Sequence, residues 1–394
     1  MFKKFMYILF SIALVISLSA CNVQNSDAEK DQIESMTMEE KVGQMLMFGL
    51  EEDHLTDKTI KFIQDHHIGG MILFRENIKN ANQLVQLTNQ IKEINSETSK
   101  LPIFISVDEE GGLVSRMPPE IKNLPKSAVI GNVNSKKIAD QVGVAIGERV
   151  GAFGFNMTMA PVLDINSNPN NPVIGERSFG NNEKVVTEMG LAEMKGIQGK
   201  NVIPVIKHFP GHGDTDVDSH KGLPVIEHDL DRLTSLEFIP FQKAIKQNAD
   251  MVMAAHILLP KIDQNYPSSL SREVITGLLK EQLKFKGVVI TDDLTMGAIL
   301  KNYEIGDAAV KAIQAGNDIV LVCHGYENQE KVLRAVLNAV QNGDISEKQI
   351  NDSVYRILSL KEKYQLNDEP IDAVDINKIN ESSEKIEQAI NNID

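Results

Sequence analysis

The sequence predicts an α/β fold, a single-domain (β/α)₈ barrel of the TIM type. Two observations predict it. Eight short apolar runs alternate with amphipathic helical patterns, and most of these runs lack the polar alternation of a half-exposed sheet. Strands buried on both faces are typical of parallel sheets with helical crossovers. An open doubly wound sheet is the alternative, but it needs a glycine-rich nucleotide loop after the first strand, and residues 48–51 (FGLE) do not provide one.

The eight predicted strands are mostly rich in Val, Ile, Met and Phe. They lie at residues 44–48, 68–74, 101–107, 156–163, 202–207, 251–257, 287–291 and 318–323. Between and after them, apolar residues recur every three or four positions, which predicts helices. These helices lie at residues 81–95, 136–151, 184–199, 230–247, 272–283, 305–314, 327–342 and 346–364. We therefore place the barrel domain at residues 35–366.

The N-terminus has the pattern of a secretory signal. Lys3 and Lys4 precede an apolar run over residues 5–18, which is shorter than the about 20 residues that span a bilayer. The run ends in LSAC, which resembles a bacterial lipobox with Cys21 as the lipidated residue. We expect residues 1–21 to be a lipoprotein signal peptide, and the protein to be anchored to the outer face of the cell membrane. An ordinary signal peptide with a chance cysteine is the alternative.

Composition limits the remaining possibilities. The 394 residues carry a formal net charge of −15, which argues against binding of nucleic acid phosphates. With two cysteines in the chain, a disulfide framework is not expected. Residues 22–34 are polar and predict a tether, and residues 367–394 predict a polar C-terminal tail that packs loosely or is disordered. We expect no second domain and a monomer.

Polar residues gather where the predicted strands end, which is where barrels of this type carry their functional sites. The third strand ends in DEEGG (108–112) and the seventh in TDD (291–293). The fourth ends at Asp164, and its loop carries GERS (175–178). The fifth leads into the segment 207–220, which is rich in His, Asp and Gly. Five of the nine histidines fall at or after predicted strands five, six and eight: His208, His212, His220, His256 and His324.

The residues alone leave two questions open. Asp292 and Asp293 both follow the seventh strand, and since a strand alternates its faces, only one of them points directly into a pocket. The His and Asp residues of segment 208–220 are also dense enough to suggest a metal hydrolase. Their spacing matches no established zinc pattern, and Pro210 prevents a helix that would align His208 with His212.

Four separated motifs give the chain a resemblance to a known family. They are DEEGGLVSR (108–116), IGERSF (174–179), KHFPGHG (207–213) followed by DSH (218–220), and GVVITDDL (287–294). Together they resemble the bacterial β-N-acetylhexosaminidases of glycoside hydrolase family 3, over about residues 35–365. Many relatives carry a second domain where this chain ends. In the hexosaminidase branch the catalytic acid comes from the first domain, so the resemblance implies a working single catalytic domain.

The resemblance also implies roles for individual residues. It selects Asp292 as the carboxylate nucleophile of a retaining glycosidase and His220 as the acid/base, with Asp218 as the partner of that histidine. It assigns substrate binding to Asp108, Arg116, Arg177, Lys207 and His208. We expect His212 to support its loop, and we leave Asp164, Glu109 and Glu110 without an assigned role.

The implied activity is removal of terminal, non-reducing β-linked N-acetylglucosamine through an aspartyl-glycosyl intermediate. Peptidoglycan fragments are the expected substrates, and no metal or organic cofactor is expected. Three alternatives stay open: a β-N-acetylglucosaminide phosphorylase, because a neutral histidine repels phosphate less than a glutamate does; a different β-glycosidase of the same family; and a lipoprotein that binds muropeptides without turnover.

Overall fold

The computed structural model describes residues 31–393. The predicted signal peptide, Cys21 and most of the predicted tether lie outside these residues. For residues 31–34 the tether prediction is wrong. Residues 31–35 are helical, and Ile33 is buried in the main apolar core, so the folded domain includes residues before position 35.

Eight parallel strands form one sheet, and a separate antiparallel hairpin follows the sixth of them. The barrel strands are β1 (Leu46–Gly49), β2 (Gly70–Leu73), β3 (Phe104–Val107), β4 (Met157–Thr158), β5 (Ile203–Phe209), β6 (Met251–Ala254), β9 (Val288–Thr291) and β10 (Val320–Val322). The hairpin consists of β7 (Leu258–Leu259) and β8 (Asp263–Pro267). Every residue of the eight barrel strands is buried, as expected for strands covered on both faces.

The sheet closes on itself. Its strand order is β10-β1-β2-β3-β4-β5-β6-β9, and a parallel bridge between Ile290 and Ile319 joins the two outer strands. Helices alternate with the strands, so the predicted α/β fold, a (β/α)₈ TIM-type barrel, is confirmed. The carboxyl ends of all eight strands therefore meet at one face of the barrel.

The helices surround this sheet, and polar side chains such as Thr37, Asn80 and Ser135 cap several of their N-termini. In chain order they are α1 (Met38–Gln44), α2 (Asp57–His66), α3 (Ala81–Thr98), α4 (Ser127–Val133), α5 (Lys136–Ala152), α6 (Glu183–Gln198), α7 (Leu230–Ser235), α8 (Phe238–Lys246), α9 (Gly297–Leu300), α10 (Ile305–Ala315), α11 (Tyr326–Gln341), α12 (Glu347–Lys363) and α13 (Ile376–Asn391). A π-helical segment covers Glu273–Gln282.

Two predicted elements are interrupted by prolines. The predicted strand 156–163 shortens to the two residues of β4, because Pro161 has no N–H to donate to a ladder. The predicted helix 230–247 divides into α7 and α8 at Leu236. Pro240 has no N–H for the carbonyl of Leu236 four residues earlier, so one continuous helix cannot form there.

The prediction of a loose or disordered C-terminal tail is also wrong. Residues Ile376–Asn391 form α13, which Asp375 caps by accepting a hydrogen bond from the backbone N–H of Lys378 (3.1 Å). Ile379, Ile386 and Ile390 are buried at helical spacing, so the helix packs against the barrel through one apolar stripe. Within residues 31–393, none of the helices is both long enough and apolar enough for a bilayer crossing.

Candidate active site

A cavity of about 300 Å³ opens at the carboxyl ends of the strands. Its volume lies at the small end of the range of ligand pockets. Its floor is apolar, with side chains from β2, β6 and β10 and from the residue after β4: Ile72, Met253, Leu321 and Met159. Seven of the eight predicted catalytic or substrate-binding residues line this central cavity: Asp108, Arg116, Arg177, Lys207, His208, His220 and Asp292. The eighth, Asp218, lies behind His220.

The two acids after β9 differ in how their carboxylates are used. The Asp293 carboxylate accepts hydrogen bonds from the backbone N–H groups of Thr295 and Cys323 (both 2.9 Å) and from the Thr295 hydroxyl. Within residues 31–393, the Asp292 carboxylate accepts one hydrogen bond, from the backbone N–H of Asp293 (2.8 Å). Asp293 is therefore tied into its loop, whereas Asp292 keeps most of its acceptor capacity for a ligand.

Asp292 lies in an environment that favours its ionised form. Burial raises the pKa of this carboxyl, but the imidazoles of His256, His208 and His220 and the Asp293 backbone N–H outweigh it, so the pKa lies below its ordinary value. His256 is fully buried and donates from Nε2 to the Asp293 carbonyl (2.9 Å). Burial lowers the pKa of His256, and its Nδ1 pairs with the Ser269 hydroxyl (2.7 Å).

His220 and Asp218 form a pair on the loop after β5. Nδ1 of His220 lies 2.9 Å from Asp218 Oδ1, which also accepts the His220 backbone N–H (3.0 Å). The His220 side chain is 64% exposed, and that of Asp218 is 19% exposed. Burial raises the pKa of Asp218, but its bonds with His220 prevail and hold the pKa below its usual range. Because Nδ1 faces the carboxylate, Nε2 is the ring nitrogen that is free for a ligand.

The loop that carries this pair is tied to the loop that follows Asp292. The backbone N–H of Gly297 donates to the His220 carbonyl (3.2 Å), and that of Ala298 donates to the Ser219 carbonyl (3.0 Å). A Cβ at position 297 would lie 2.6 Å from the His220 carbonyl oxygen, so only glycine allows this approach. The two loops thus hold His220 at the rim of the cavity above β9.

One wall of the cavity is a buried network of opposite charges. Glu110 accepts two bonds from the Arg177 guanidinium, from Nε (2.9 Å) and Nη2 (2.8 Å), and its Oε1 also lies 2.7 Å from Lys207 Nζ. Lys207 donates in turn to Asp108 (2.8 Å). Burial opposes the charged forms of Glu110 and Lys207, but their partners outweigh it, so the pKa of Glu110 lies well below its usual range and that of Lys207 is raised.

A second buried group joins the segment after β4 to strand β5 at the cavity. Nδ1 of His208 lies 2.6 Å from Asp164 Oδ2, and the backbone N–H groups of His208 and His212 also donate to this carboxylate. Burial raises the pKa of Asp164, but His208 and His212 outweigh it and lower the pKa. Burial, with His208 nearby, lowers the pKa of His212 to about 4. His212 is hydrogen-bonded to Thr215 (2.8 Å) and Ser219 (3.0 Å), so it supports the His220 loop besides lining the cavity.

Arg116 differs from the other cationic residues of the cavity. Its backbone N–H donates to Glu109 Oε2 (3.2 Å), but within residues 31–393 its guanidinium has no hydrogen-bond or ion-pair partner. A guanidinium that lines a cavity without a protein partner is available to bind hydroxyl or carbonyl oxygens of a ligand.

Several residues that line or support the cavity received no role from the sequence. Glu110 lies two residues after Asp108, and Asp164 ends the fourth predicted strand, so the position of each residue was the sequence signal for it. His256 also ends a strand. Arg149, which is fully buried and pairs with Glu109 (3.1 Å), lies inside α5 without any motif, so no sequence signal pointed to it.

The His and Asp residues of segment 208–220 spread in different directions. Asp214 pairs with His228 (2.7 Å), while Asp218 pairs with His220. Across the described range 31–393, no three or more His, Cys, Asp or Glu side chains are grouped in a way that could hold a metal ion.

Residues 37–360 match the family model of the glycosyl hydrolase family 3 N terminal domain. Beta-hexosaminidase A of Pseudoalteromonas piscicida is 37% identical over 326 residues, which are 77% of this chain and 54% of that protein, so the chain spans about half the length of this relative. A beta-hexosaminidase of Neisseria meningitidis is 34% identical over 287 residues, which are 71% of this chain and 78% of that protein.

Solved structures of beta-N-acetylglucosaminidases and beta-N-acetylhexosaminidases are also similar to this chain. A glycoside hydrolase family 3 beta-N-acetylglucosaminidase from a Paenibacillus species superposes with a TM-score of 0.85 at 40% identity, covering 89% of this chain and 68% of that chain. Beta-N-acetylhexosaminidase from Beutenbergia cavernae superposes with a TM-score of 0.77 at 27% identity, covering 83% of this chain and 99% of that chain.

Proposed function

Because this chain belongs to glycosyl hydrolase family 3, we propose that it is a retaining exo-β-N-acetylglucosaminidase that removes terminal, non-reducing β-linked N-acetylglucosamine. One observation carries the proposal. The Asp292 carboxylate, which is ionised and accepts one hydrogen bond from the described residues, lines the same cavity as His220, whose Nδ1 pairs with Asp218. A nucleophile and a proton donor at one small cavity are the two groups that retaining glycosidases need. The similar proteins are named beta-hexosaminidase and beta-N-acetylglucosaminidase, which supports N-acetylglucosamine as the sugar.

In the first step, Asp292 attacks the anomeric carbon while the glycosidic C–O bond breaks. The protonated imidazole of His220 donates its Nε2 proton to the departing oxygen, so the leaving group departs as a neutral alcohol. Asp218 accepts from Nδ1 and stabilises the imidazolium that this step requires. The product of this step is a glycosyl ester on Asp292.

In the second step, water replaces Asp292 at the anomeric carbon. His220, now neutral, accepts a proton from the attacking water, and the carboxylate of Asp292 is released. Two displacements at the same carbon leave the sugar with its original β configuration.

The remaining polar side chains of the cavity bind the sugar. Asp108 has one oxygen bonded to Lys207, and its side chain is 21% exposed, so it accepts hydrogen bonds from sugar hydroxyls. Buried carboxylates fix three further side chains, those of Lys207, Arg177 and His208. Their N–H groups therefore meet the sugar as hydrogen-bond donors in fixed positions. Arg116 supplies a guanidinium without a protein partner.

The cellular setting is part of the proposal. The lipobox-like segment ending at Cys21 supports a lipid anchor on the outer face of the cell membrane, and a hexosaminidase in that location supports peptidoglycan fragments as substrates. Labelling of cells with a fatty acid tests the anchor, which we expect on the wild type and not on Cys21→Ser. Label on both forms would contradict it.

The activity is tested with the purified full chain and a nitrophenyl β-N-acetylglucosaminide, with the nitrophenyl β-glucoside as matched substrate. We expect turnover of the first, far slower turnover of the second, and a loss of at least roughly 10⁴-fold in Asp292→Asn. Preference for the glucoside would select a different β-glycosidase. Formation of sugar 1-phosphate in the presence of phosphate would select the phosphorylase. Absence of turnover by the folded wild type would contradict the proposal.

A further inference from the structure

We propose that α13, the C-terminal helix, positions the sugar-binding loop after β3, and that this helix thereby sets the affinity of the enzyme for its substrate. The β3 loop is defined here as residues 108–126, and it carries Asp108 and Arg116. The inference deepens the proposed function and rests on it for the identity of the ligand. It rests on a chain of buried contacts from α13 to the cavity.

The first link is the packing of α13. The helix buries Ile379, Ser383, Ile386 and Ile390, which lie along one side at helical spacing. Three of these residues are apolar and account for the packing. Ser383 is the polar member of the stripe, and it is 1% exposed. A buried hydroxyl in an apolar stripe needs a partner.

The second link is Arg149 of α5, whose side chain has no exposed surface. Its Nη2 donates to the Ser383 hydroxyl oxygen (2.7 Å), and its Nη1 donates to Glu109 Oε1 (3.1 Å). The guanidinium is planar and rigid, so the bonds from its two terminal nitrogens fix the position of Glu109 relative to α13. Loss of the Ser383 hydroxyl would leave a buried N–H of this guanidinium without its acceptor, which is costly.

The third link is Glu109, which follows Asp108 directly. Its second carboxylate oxygen, Oε2, accepts the backbone N–H of Arg116 (3.2 Å). One buried carboxylate therefore connects the first part of the β3 loop to the position seven residues later. Because Asp108 and Arg116 both line the central cavity, a displacement of Glu109 moves both of these side chains.

A second set of contacts reaches the same loop. The Ser383 hydroxyl donates to the Lys122 carbonyl (3.3 Å). Asn380 accepts the backbone N–H of Lys122 (2.7 Å) and donates to the Glu120 carbonyl (2.9 Å). Thus α13 holds both the start of the β3 loop, through Arg149, and its later part, through the backbone at 120 and 122.

None of these contacts involves the reacting groups Asp292 and His220. The family match ends at residue 360, so α13 lies beyond it. Ser383, Asn380 and Arg149 are therefore positioning residues, whose loss weakens sugar binding in the ground state and in the transition state alike. A loss of this kind raises KM and leaves kcat nearly unchanged.

The experiment compares four forms of the full chain: wild type, Ser383→Ala, Ser383→Thr and Ser382→Ala. Ser382 is the matched control, because it lies on the same helix but contacts Glu148 of α5 (3.3 Å) and not Arg149. For Ser383→Ala we expect KM for the nitrophenyl β-N-acetylglucosaminide to rise roughly 3- to 10-fold, with kcat within about 2-fold of the wild type. Ser383→Thr keeps the hydroxyl and should restore KM, and Ser382→Ala should leave it unchanged.

Hydrogen exchange of the β3 loop is measured on the same four proteins without substrate. We expect faster exchange over residues 108–126 in Ser383→Ala only, because Arg149 and the Lys122 carbonyl lose a partner and the β3 loop is held less firmly. Unchanged exchange and unchanged KM in Ser383→Ala would overturn the inference, as would an equal rise of KM in Ser382→Ala. If the wild type lacks turnover while the exchange difference is present, the proposed function fails and the positioning by α13 stands.

Discussion

Two histidines that line the same cavity, His208 and His220, each pair with a carboxylate behind them, and the two pairs differ in their surroundings. His208 and Asp164 lie 2.6 Å apart with side chains 8% and 0% exposed, whereas His220 and Asp218 lie 2.9 Å apart with side chains 64% and 19% exposed. The pairs have similar geometry, so the difference in burial is what distinguishes them.

The buried pair joins the segment after β4 to strand β5, and the exposed pair lies within one loop. Asp164 accepts the side chain of His208 and two backbone N–H groups, so neither residue moves without breaking several bonds. Asp218 and His220 are two residues apart and hold each other locally. The comparison teaches that several bonds fix the buried pair in place, whereas the loop pair has the solvent access that the proposed proton transfer requires.

Of the two pairs, we expect the loop pair to give the larger effect on the reaction rate. His220→Ala should lower kcat/KM on a disaccharide of N-acetylglucosamine by about 10²- to 10⁴-fold, because an unactivated alcohol needs its proton. Release of nitrophenol should fall less, and the melting temperature should stay unchanged because the side chain is exposed.

The chain offers a matched control for this variant. His54 also pairs with a neighbouring carboxylate, Asp53, at 3.0 Å, and its side chain is 65% exposed, but it does not line the central cavity. His54→Ala should leave all rates unchanged. Equal rate losses in the two variants would remove the distinction between the loop pair and an ordinary surface pair.

The buried charge network around Glu110 should contribute more to stability than an exposed ion pair does. Glu110→Gln leaves Arg177 and Lys207 without their shared carboxylate, and we expect the free energy of unfolding to fall by about 3–5 kcal/mol. Glu176→Gln breaks the exposed pair with Lys126 (2.6 Å) and should cost at most about 1 kcal/mol. Urea unfolding measures both values, and a smaller loss in Glu110→Gln than in Glu176→Gln would contradict the distinction.

A smaller effect is expected from the pH dependence of stability. The pKa of His212 is about 4 in the folded protein, below the value near 6.5 of an unfolded histidine. Between these two values the unfolded chain binds a proton that the folded protein does not, so stability falls as the pH falls from 6.5 to 4. The total is about 3 kcal/mol. In His212→Gln this part of the pH slope should be absent, and an unchanged slope would assign it to other groups.

The sequence predicted the barrel well because each buried strand is a short apolar run, a pattern that depends on local composition alone. It predicted that most of the candidate side chains gather at one cavity for a related reason, since strand ends meet at one face of a barrel whatever the loops do. The choice of Asp292 over Asp293 was left to the resemblance. The structure adds the physical basis, because backbone N–H groups from two loops occupy the Asp293 carboxylate.

Contacts between distant segments could not be predicted. Arg149 pairs with Glu109, 40 residues earlier, and with Ser383, 234 residues later, and no local pattern encodes such a connection. The C-terminal tail was misjudged because its polar residues dominate its composition. Its isoleucines at 376, 379, 386 and 390 do lie at helical spacing, and that periodicity was the available signal.

The central claim is that Asp292 forms a glycosyl ester and that His220 is needed to hydrolyse it. The most direct measurement is the mass of the His220→Ala variant after reaction with the nitrophenyl β-N-acetylglucosaminide. This substrate needs little protonation, so the ester forms, but the missing base slows its hydrolysis. We expect a protein heavier by one N-acetylglucosamine residue, with the added mass on Asp292. Added mass on Asp293, or turnover without any adduct, would contradict the account.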